Sequence, residues 1–323
     1  MFLPMSELER DAAASGRQPL QAMLAGAHSG MLLVGITPPR QSASPEQMRE
    51  IAAVTLARLA QLNLDGLALY DIDNEVDRNP AERPFPYLPT VDPAVFHGEY
   101  LGDWNRPVVL YRCVGKYPEK DLRTWLGSVD PGQVLSVFVG ASSGRKEVRT
   151  SLSSAQALHH QIRPDLLLGG VAIAERRDEH LRLVAKQERG CAFFISQVIY
   201  NADATKSMIS DYFYTCREQG PAPRPVLFTL SVCGSPKTLE FLKWLGVDVP
   251  RWLENELSYA TDTLAESYDQ CLANARDLIA FCRRLGMPFG FSVESVSIRK
   301  TEIEASVALA GEVPGCSVVA DSR

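Results

Sequence analysis

Eight short apolar runs recur along this chain, and helical stretches separate them. The runs lie at 31–36, 66–71, 107–114, 134–140, 166–171, 191–197, 225–231 and 288–293. Between and after them, apolar residues fall at three- and four-residue spacing near 45–62, 118–127, 150–162, 178–189, 203–218, 236–245, 263–285 and 298–311. The stripe Leu264, Tyr268, Cys271, Leu272, Ala275, Leu278, Ile279 and Cys282 is the clearest. Near-continuous apolar strands alternating with amphipathic helices are the pattern of a parallel sheet buried on both faces. Eight such units predict an α/β protein of the (β/α)8 TIM-barrel class. The doubly wound alternative carries a Gly-rich turn after its first strand. Here Thr37-Pro38-Pro39-Arg40 stands in that place, which cannot form a phosphate cradle.

The alternation sets the expected boundaries: a helical N-terminal extension over 1–30, the barrel over 31–313 and a flexible tail over 314–323. Residues 72–106 read as one long connection rich in Pro, Asp and aromatics, the kind of loop that more often serves function than idles. A net charge of -6 argues against a nucleic-acid partner. Seven cysteines without C-x-x-C spacing read as small core residues of a reduced, cytoplasmic protein. No apolar run reaches the length of a membrane span, and no signal peptide is evident.

Barrel chemistry sits at the C-terminal ends of strands and in the loops after them. This rule singles out Asp71, Asp73 and Glu75 after the second strand, Gln197 ending the sixth and Glu294 following the eighth. The carboxylates are candidate proton donors, set against a solvated or helix-capping role. Gln197 closes an otherwise apolar strand with a side-chain amide, two donors and one acceptor carbonyl. Gly140-Ala141-Ser142-Ser143-Gly144 has the form of a nucleophile elbow but lacks the later acid-then-His order, since the last histidine is His180. A β–α turn presenting backbone N–H groups is the better account, with Arg145 and Lys146 beside it favouring an anion. The five histidines show no ligand spacing, so no metal site is expected. Glu179 and Lys186, on the helix before Gln197, would each be a surface charge on pattern alone.

Several blocks together resemble the methylenetetrahydrofolate reductase family of FAD-dependent barrels. Lys186 through Gln197 is similar to its K-x-x-x-G-A…I-T-Q pattern. Val247-Asp248-Val249-Pro250-Arg251-Trp252 resembles V-x-I-P-x-W. Phe289-Gly290-Phe291 with Lys300-Thr301-Glu302 resembles F-H-F…N-R-A-E, and Pro38-Pro39-Arg40 matches a P-P-R after the first strand. The resemblance implies binding of a reduced folate, with FAD as cofactor, NAD(P)H as electron donor and self-association. It gives Gln197 contacts to folate and flavin. It places Glu179, Lys186 and Gly140 at the cofactor, and Arg299 and Lys300 at the substrate.

Departures from the pattern fall on the chemistry. The family's proton-donating Glu on the first strand aligns with Gly35, and its strand-four Asp aligns within Val139-Gly140-Ala141. Its flavin-contacting His on the third strand aligns with Leu110, and a flavin-site Tyr on the eighth with Ser292. The His after the fifth strand has no counterpart. A lost general acid typically costs about 10²–10⁴-fold in rate. Either Asp71, Asp73, Glu75 or Glu294 replaces it, or the chemistry is folate-dependent one-carbon transfer or demethylation without flavin, or the barrel binds folate without turnover.

Overall fold

The computed structural model describes residues 18–74, 79, 81–141 and 147–316. Eight parallel strands close on themselves in chain order, each hydrogen-bonded to the next and β8 to β1. They are β1 (Met31–Ile36), β2 (Gly66–Leu69), β3 (Val108–Cys113), β4 (Val134–Val139), β5 (Leu168–Ala172), β6 (Cys191–Val198), β7 (Val226–Ser231) and β8 (Phe289–Glu294). All eight fall where the apolar runs predicted them, and the architecture is the expected (β/α)8 barrel.

Around the strands lie α1 (Leu20–Ala25), α2 (Pro45–Leu59), α3 (Pro93–Tyr100), α4 (Glu119–Ser128), α5 (Leu152–Ile162), α6 (Glu179–Glu188), α7 (Ala202–Gln219), α8 (Pro236–Trp244), α9 (Arg251–Tyr259), α10 (Thr263–Leu285) and α11 (Lys300–Glu312). Local chemistry sets their starts. Ser44 and Gln47 form a reciprocal capping box before α2, with Pro45 in its first turn. Asp262 accepts from two N–H groups of α10, which ends at a left-handed Gly286.

Two helices correct the sequence reading. α3 lies inside the supposed loop 72–106, capped by Asp92 with Pro93 at its start. α9 forms a separate helix where only a segment leading into α10 was expected. Of the N-terminal extension, α1 is described and residues 1–17 are not. At the other end, the boundary at 313 falls in a 3-10 turn (Val313–Gly315), and Cys316 beyond it is buried against the core.

Strand side chains alternate between two cores. Leu67, Leu69, Leu110, Phe138, Phe194, Phe228, Phe291 and Val293 point outward and pack under the helices. Leu33, Ala68, Val109, Val137, Phe193, Ile195 and Leu227 point inward and fill the barrel, and Leu20 and Leu24 of α1 join them. Phe193 takes so much of this interior that its neighbour must be glycine: a Cβ on Gly169 would lie 2.5 Å from its ring. The barrel is therefore packed, not hollow, and open chemistry is left to its C-terminal rim. The connection after β2 runs along that rim. It pairs with the β1–α2 loop through Arg40 and Thr90, and Ala81 accepts from the Trp244 indole at 2.8 Å on α8.

Candidate functional site

The last inward positions of the strands build the barrel mouth. On β8, Ser292 and Glu294 share the inward parity of Gly290, while Phe291 and Val293 face the helices. Glu294 ends β8 half-buried, with Gly35 of β1 and Ser231 of β7 as its register partners. The acid absent at Gly35 is thus matched by one directly across the ladder, one strand away. Tyr70, just after β2, explains why β1 carries glycine here. A Cβ on Gly35 would sit 2.7 Å from the Tyr70 ring and 2.8 Å from its hydroxyl oxygen.

Tyr70 packs on Tyr111 of β3 with ring centroids 4.7 Å apart, and its hydroxyl faces the Glu294 carboxyl. Burial pushes the Glu294 carboxyl up to about 7, and the Tyr70 hydroxyl pulls it part of the way back. Burial likewise raises both phenols, and the Glu294 charge raises them further. The result is a carboxyl that exchanges its proton near neutrality, next to two tyrosines held neutral. Leu110, aligned with the family's flavin histidine, faces the helices, and the inward residue on β3 is Tyr111. A one-residue difference in a period of two places them on opposite faces.

Gln197 lies at the end of β6, where the register with β7 shifts between Ile195 and Val198. Its Nε2 donates to the Leu245 carbonyl at 2.9 Å, beyond α8, and its Oε1 is buried with no hydrogen-bond partner. A buried carbonyl oxygen without a donor is costly, so it is poised to accept from an N–H or O–H of a ligand.

The other predicted residues are placed otherwise. Asp71 points out of the barrel wall, away from Glu294. Its carboxylate accepts from the Cys113 N–H at 2.8 Å, from the Tyr117 hydroxyl at 2.9 Å and from Lys116. The single Tyr117 O–H is shared between Asp71 and Asp92, whose oxygen lies 3.0 Å away, and Arg112 pairs with Asp92 at 2.6 Å. This network, which the sequence reading missed, ties β2 and β3 to the start of α3. Asp73 is half-buried and accepts from the Asn74 N–H at 2.9 Å. Glu75 and the stretch Ser142 to Lys146 lie outside the described residues.

Glu179 and Lys186 are not surface charges. Glu179 is 1% exposed, and its Oε1 accepts from Lys186 at 3.1 Å and from the Ile173 N–H at 3.3 Å. Lys186 also donates to the Val171 carbonyl, so the pair fastens α6 to the end of β5. Gly140 is exposed just past β4. Arg299 caps α11 and reaches Glu302 at 4.0 Å, while Lys300 is 76% exposed and pairs with Glu304 at 3.6 Å. These two decorate the start of α11 and do not join Glu294 or Gln197. The seven cysteines are all free of disulfides. Among the described residues no group of three or more His, Cys, Asp or Glu could hold a metal, and no helix is long and apolar enough to cross a membrane.

Fold and rim together define a (β/α)8 barrel with a polar mouth carrying one neutral-titrating acid. No family model and no curated protein matches the chain. Among solved structures it is similar to an uncharacterized protein from Clostridium thermocellum that binds two copies of 5-methyl-5,6,7,8-tetrahydrofolic acid. The TM-score is 0.82 and the identity 41%, over 92% of this chain and 99% of that one. The chain belongs to the same family as that protein. Dihydropteroate synthase of Xanthomonas albilineans with 4-aminobenzoic acid matches at a TM-score of 0.42 and 13% identity, over 88% of this chain and 92% of that one. A 2,3-dimethylmalate lyase matches at 0.42 and 12%, over 97% and 99%.

Proposed function

We propose that this protein binds reduced folates of the 5-methyltetrahydrofolate type, two per chain, and that the barrel mouth holds the one on which chemistry occurs. The 41% identity to the folate-bound relative, across nearly all of both chains, carries this reading. The mouth supplies a means of recognition. Gln197 presents an acceptor oxygen suited to an N–H of the pteridine edge, and Glu294 offers an exchangeable proton beside the ring.

The proposed chemistry is proton handling at a folate nitrogen. A carboxyl that titrates near 7 is protonated in an appreciable fraction of molecules at neutral pH. Its proton, placed on N5, turns that nitrogen into a better leaving group for the attached one-carbon unit. In methyl transfer an acceptor nucleophile forms its bond to the methyl carbon as the N5–C bond breaks; in the ring opening that the reductase resemblance implies, the carboxyl's proton would instead go to the departing N10, leaving the iminium on N5. Tyr70 orients the carboxyl and fills the space where a first-strand acid would stand.

FAD-dependent hydride transfer, with NAD(P)H as donor, is the finer reading that the resemblance offers. The residues of this chain do not fit it well. Lys186, an expected flavin contact, is engaged with Glu179 and with the Val171 carbonyl, and Leu110 faces away from the mouth. We therefore favour one-carbon chemistry on folate without flavin.

Titration calorimetry with 5-methyltetrahydrofolate tests the reading. Wild type should bind, and Gln197→Ala should bind the mouth ligand about tenfold more weakly, the worth of one hydrogen bond to a buried group. Absence of binding to wild type would overturn it.

A further inference from the structure

A second concavity lies on the same rim, between the loop after β5 and the first turns of α7. It measures about 400 Å³. Glu175, Asp178, Glu179, Asp211 and Asp248 line it, against Arg176 and His180. The aliphatic part of its wall comes from Ala174 after β5 and from Ala204 and Met208 of α7.

One group in this groove has unmet bonding capacity. Glu179 is 1% exposed, and while its Oε1 is satisfied, its Oε2 has no hydrogen-bond donor. The guanidinium of Arg182 stands 3.8 Å away, beyond hydrogen-bonding reach. A buried carboxylate oxygen lacking a donor is costly, and in the wall of a groove a ligand can relieve the cost. Glu175 is held in the same field: burial, then the charges of Asp248 and Glu179, push its carboxyl up from the ordinary range. Asp248 is steadied by the Asn201 amide at 2.6 Å.

The charge balance selects the ligand class. Two phosphates of a dinucleotide would meet five carboxylates, which repel them. The neutral ring of a folate, with adjacent N–H donors, would meet acceptors, provided its anionic glutamate end points out of the groove. The 2-amino-4-oxo edge of a pterin presents its 2-amino group and N3–H side by side, the donor pair that a carboxylate accepts.

We propose that this groove is the second reduced-folate site, with the aminopteridine edge on the Glu179 and Glu175 carboxylates and the ring lying along α7. The inference rests on the folate reading above and adds a location to it. It also reassigns the place where Glu179 would touch flavin: the groove takes a pterin.

Calorimetry with 5-methyltetrahydrofolate on the full chain counts the sites. Wild type should bind two equivalents. Ser207→Trp puts an indole into the groove from an exposed position on α7 and should leave one. Glu175→Ala, which removes a half-buried acid, should weaken one site about tenfold or more and spare the other. Gln197→Ala should weaken the other site alone. Two undiminished sites in both Ser207→Trp and Glu175→Ala would overturn the location and leave the folate reading intact; a single equivalent in wild type would overturn both the second site and the count of two, leaving only folate binding at the mouth. No folate binding by wild type would overturn both. An absorbance change with FAD that Ser207→Trp abolishes would return the groove to a dinucleotide.

Discussion

Asp71 and Glu294 flank β1 from the ends of β2 and β8, and they have opposite fates. Asp71 faces outward and is saturated, with a backbone N–H, a phenol and an ammonium group on its two oxygens. Glu294 faces inward with a single phenol as donor beside it. The ionisable group is the same carboxyl, although Glu294 is the last residue of β8 and Asp71 lies two residues past β2. A carboxylate with three donors has its lost hydration replaced by protein partners, so it serves as a fastener. One with a single donor bears the desolvation penalty as a raised proton affinity, which makes it chemically useful. Tyr70 and Asp71 show how narrow the switch is: adjacent residues, one supporting the mouth acid and the next tying down the wall.

The contrast breaks most visibly at the fastener. Asp71→Ala leaves Lys116 and the Tyr117 hydroxyl without their acceptor, and should lower unfolding stability in urea by about 3 kcal/mol. A loss below about 1 kcal/mol would put Asp71 back among ordinary rim acids. Glu294→Gln should behave in the opposite way. With the folded carboxyl near 7 against an ordinary 4.5, the native state holds its proton longer as pH rises. Stability should therefore fall between these values, by up to about 3 kcal/mol, and Glu294→Gln should flatten that slope. Urea midpoints from pH 4 to 8 read it, and an unchanged slope would mean Glu294 titrates normally.

Smaller changes refine the comparison. Gly35→Ala forces a methyl against the Tyr70 ring and should cost about 1–3 kcal/mol. Tyr70→Ala in the same chain should recover most of it, and failure to do so would show that another contact demands the glycine. Tyr70→Phe removes the one donor that lowers the Glu294 carboxyl. The pH midpoint of folate affinity should move upward, an effect of about 1 kcal/mol. A downward move would contradict that role of the Tyr70 hydroxyl.

Much of the site was legible because barrel strands end in functional positions. Glu294 and Gln197 both stand out as polar residues closing apolar runs. Asp71 stood out by the same rule and is spent elsewhere, since a polar strand end does not reveal which face its side chain takes. The helix α3 carried a readable signal, Asp92 followed by Pro93, that a proline-rich neighbourhood obscured. The Glu179–Lys186 pairing, seven residues apart on one helix, was visible as spacing, but not the burial that makes each the other's partner.

What the sequence determined by itself is local: eight strands, their order, the helices between them and hence the barrel, because continuous apolar runs and 3.6-residue repeats are local properties. What only tertiary structure decided is which acid does which work. That Tyr70 lies over Gly35, that Glu294 is the register partner of Gly35 and that Asp71 meets Lys116 are contacts between residues 35 to 259 positions apart. Protonation follows from how many donors surround a carboxylate, and barrel closure sets that number by joining β8 to β1.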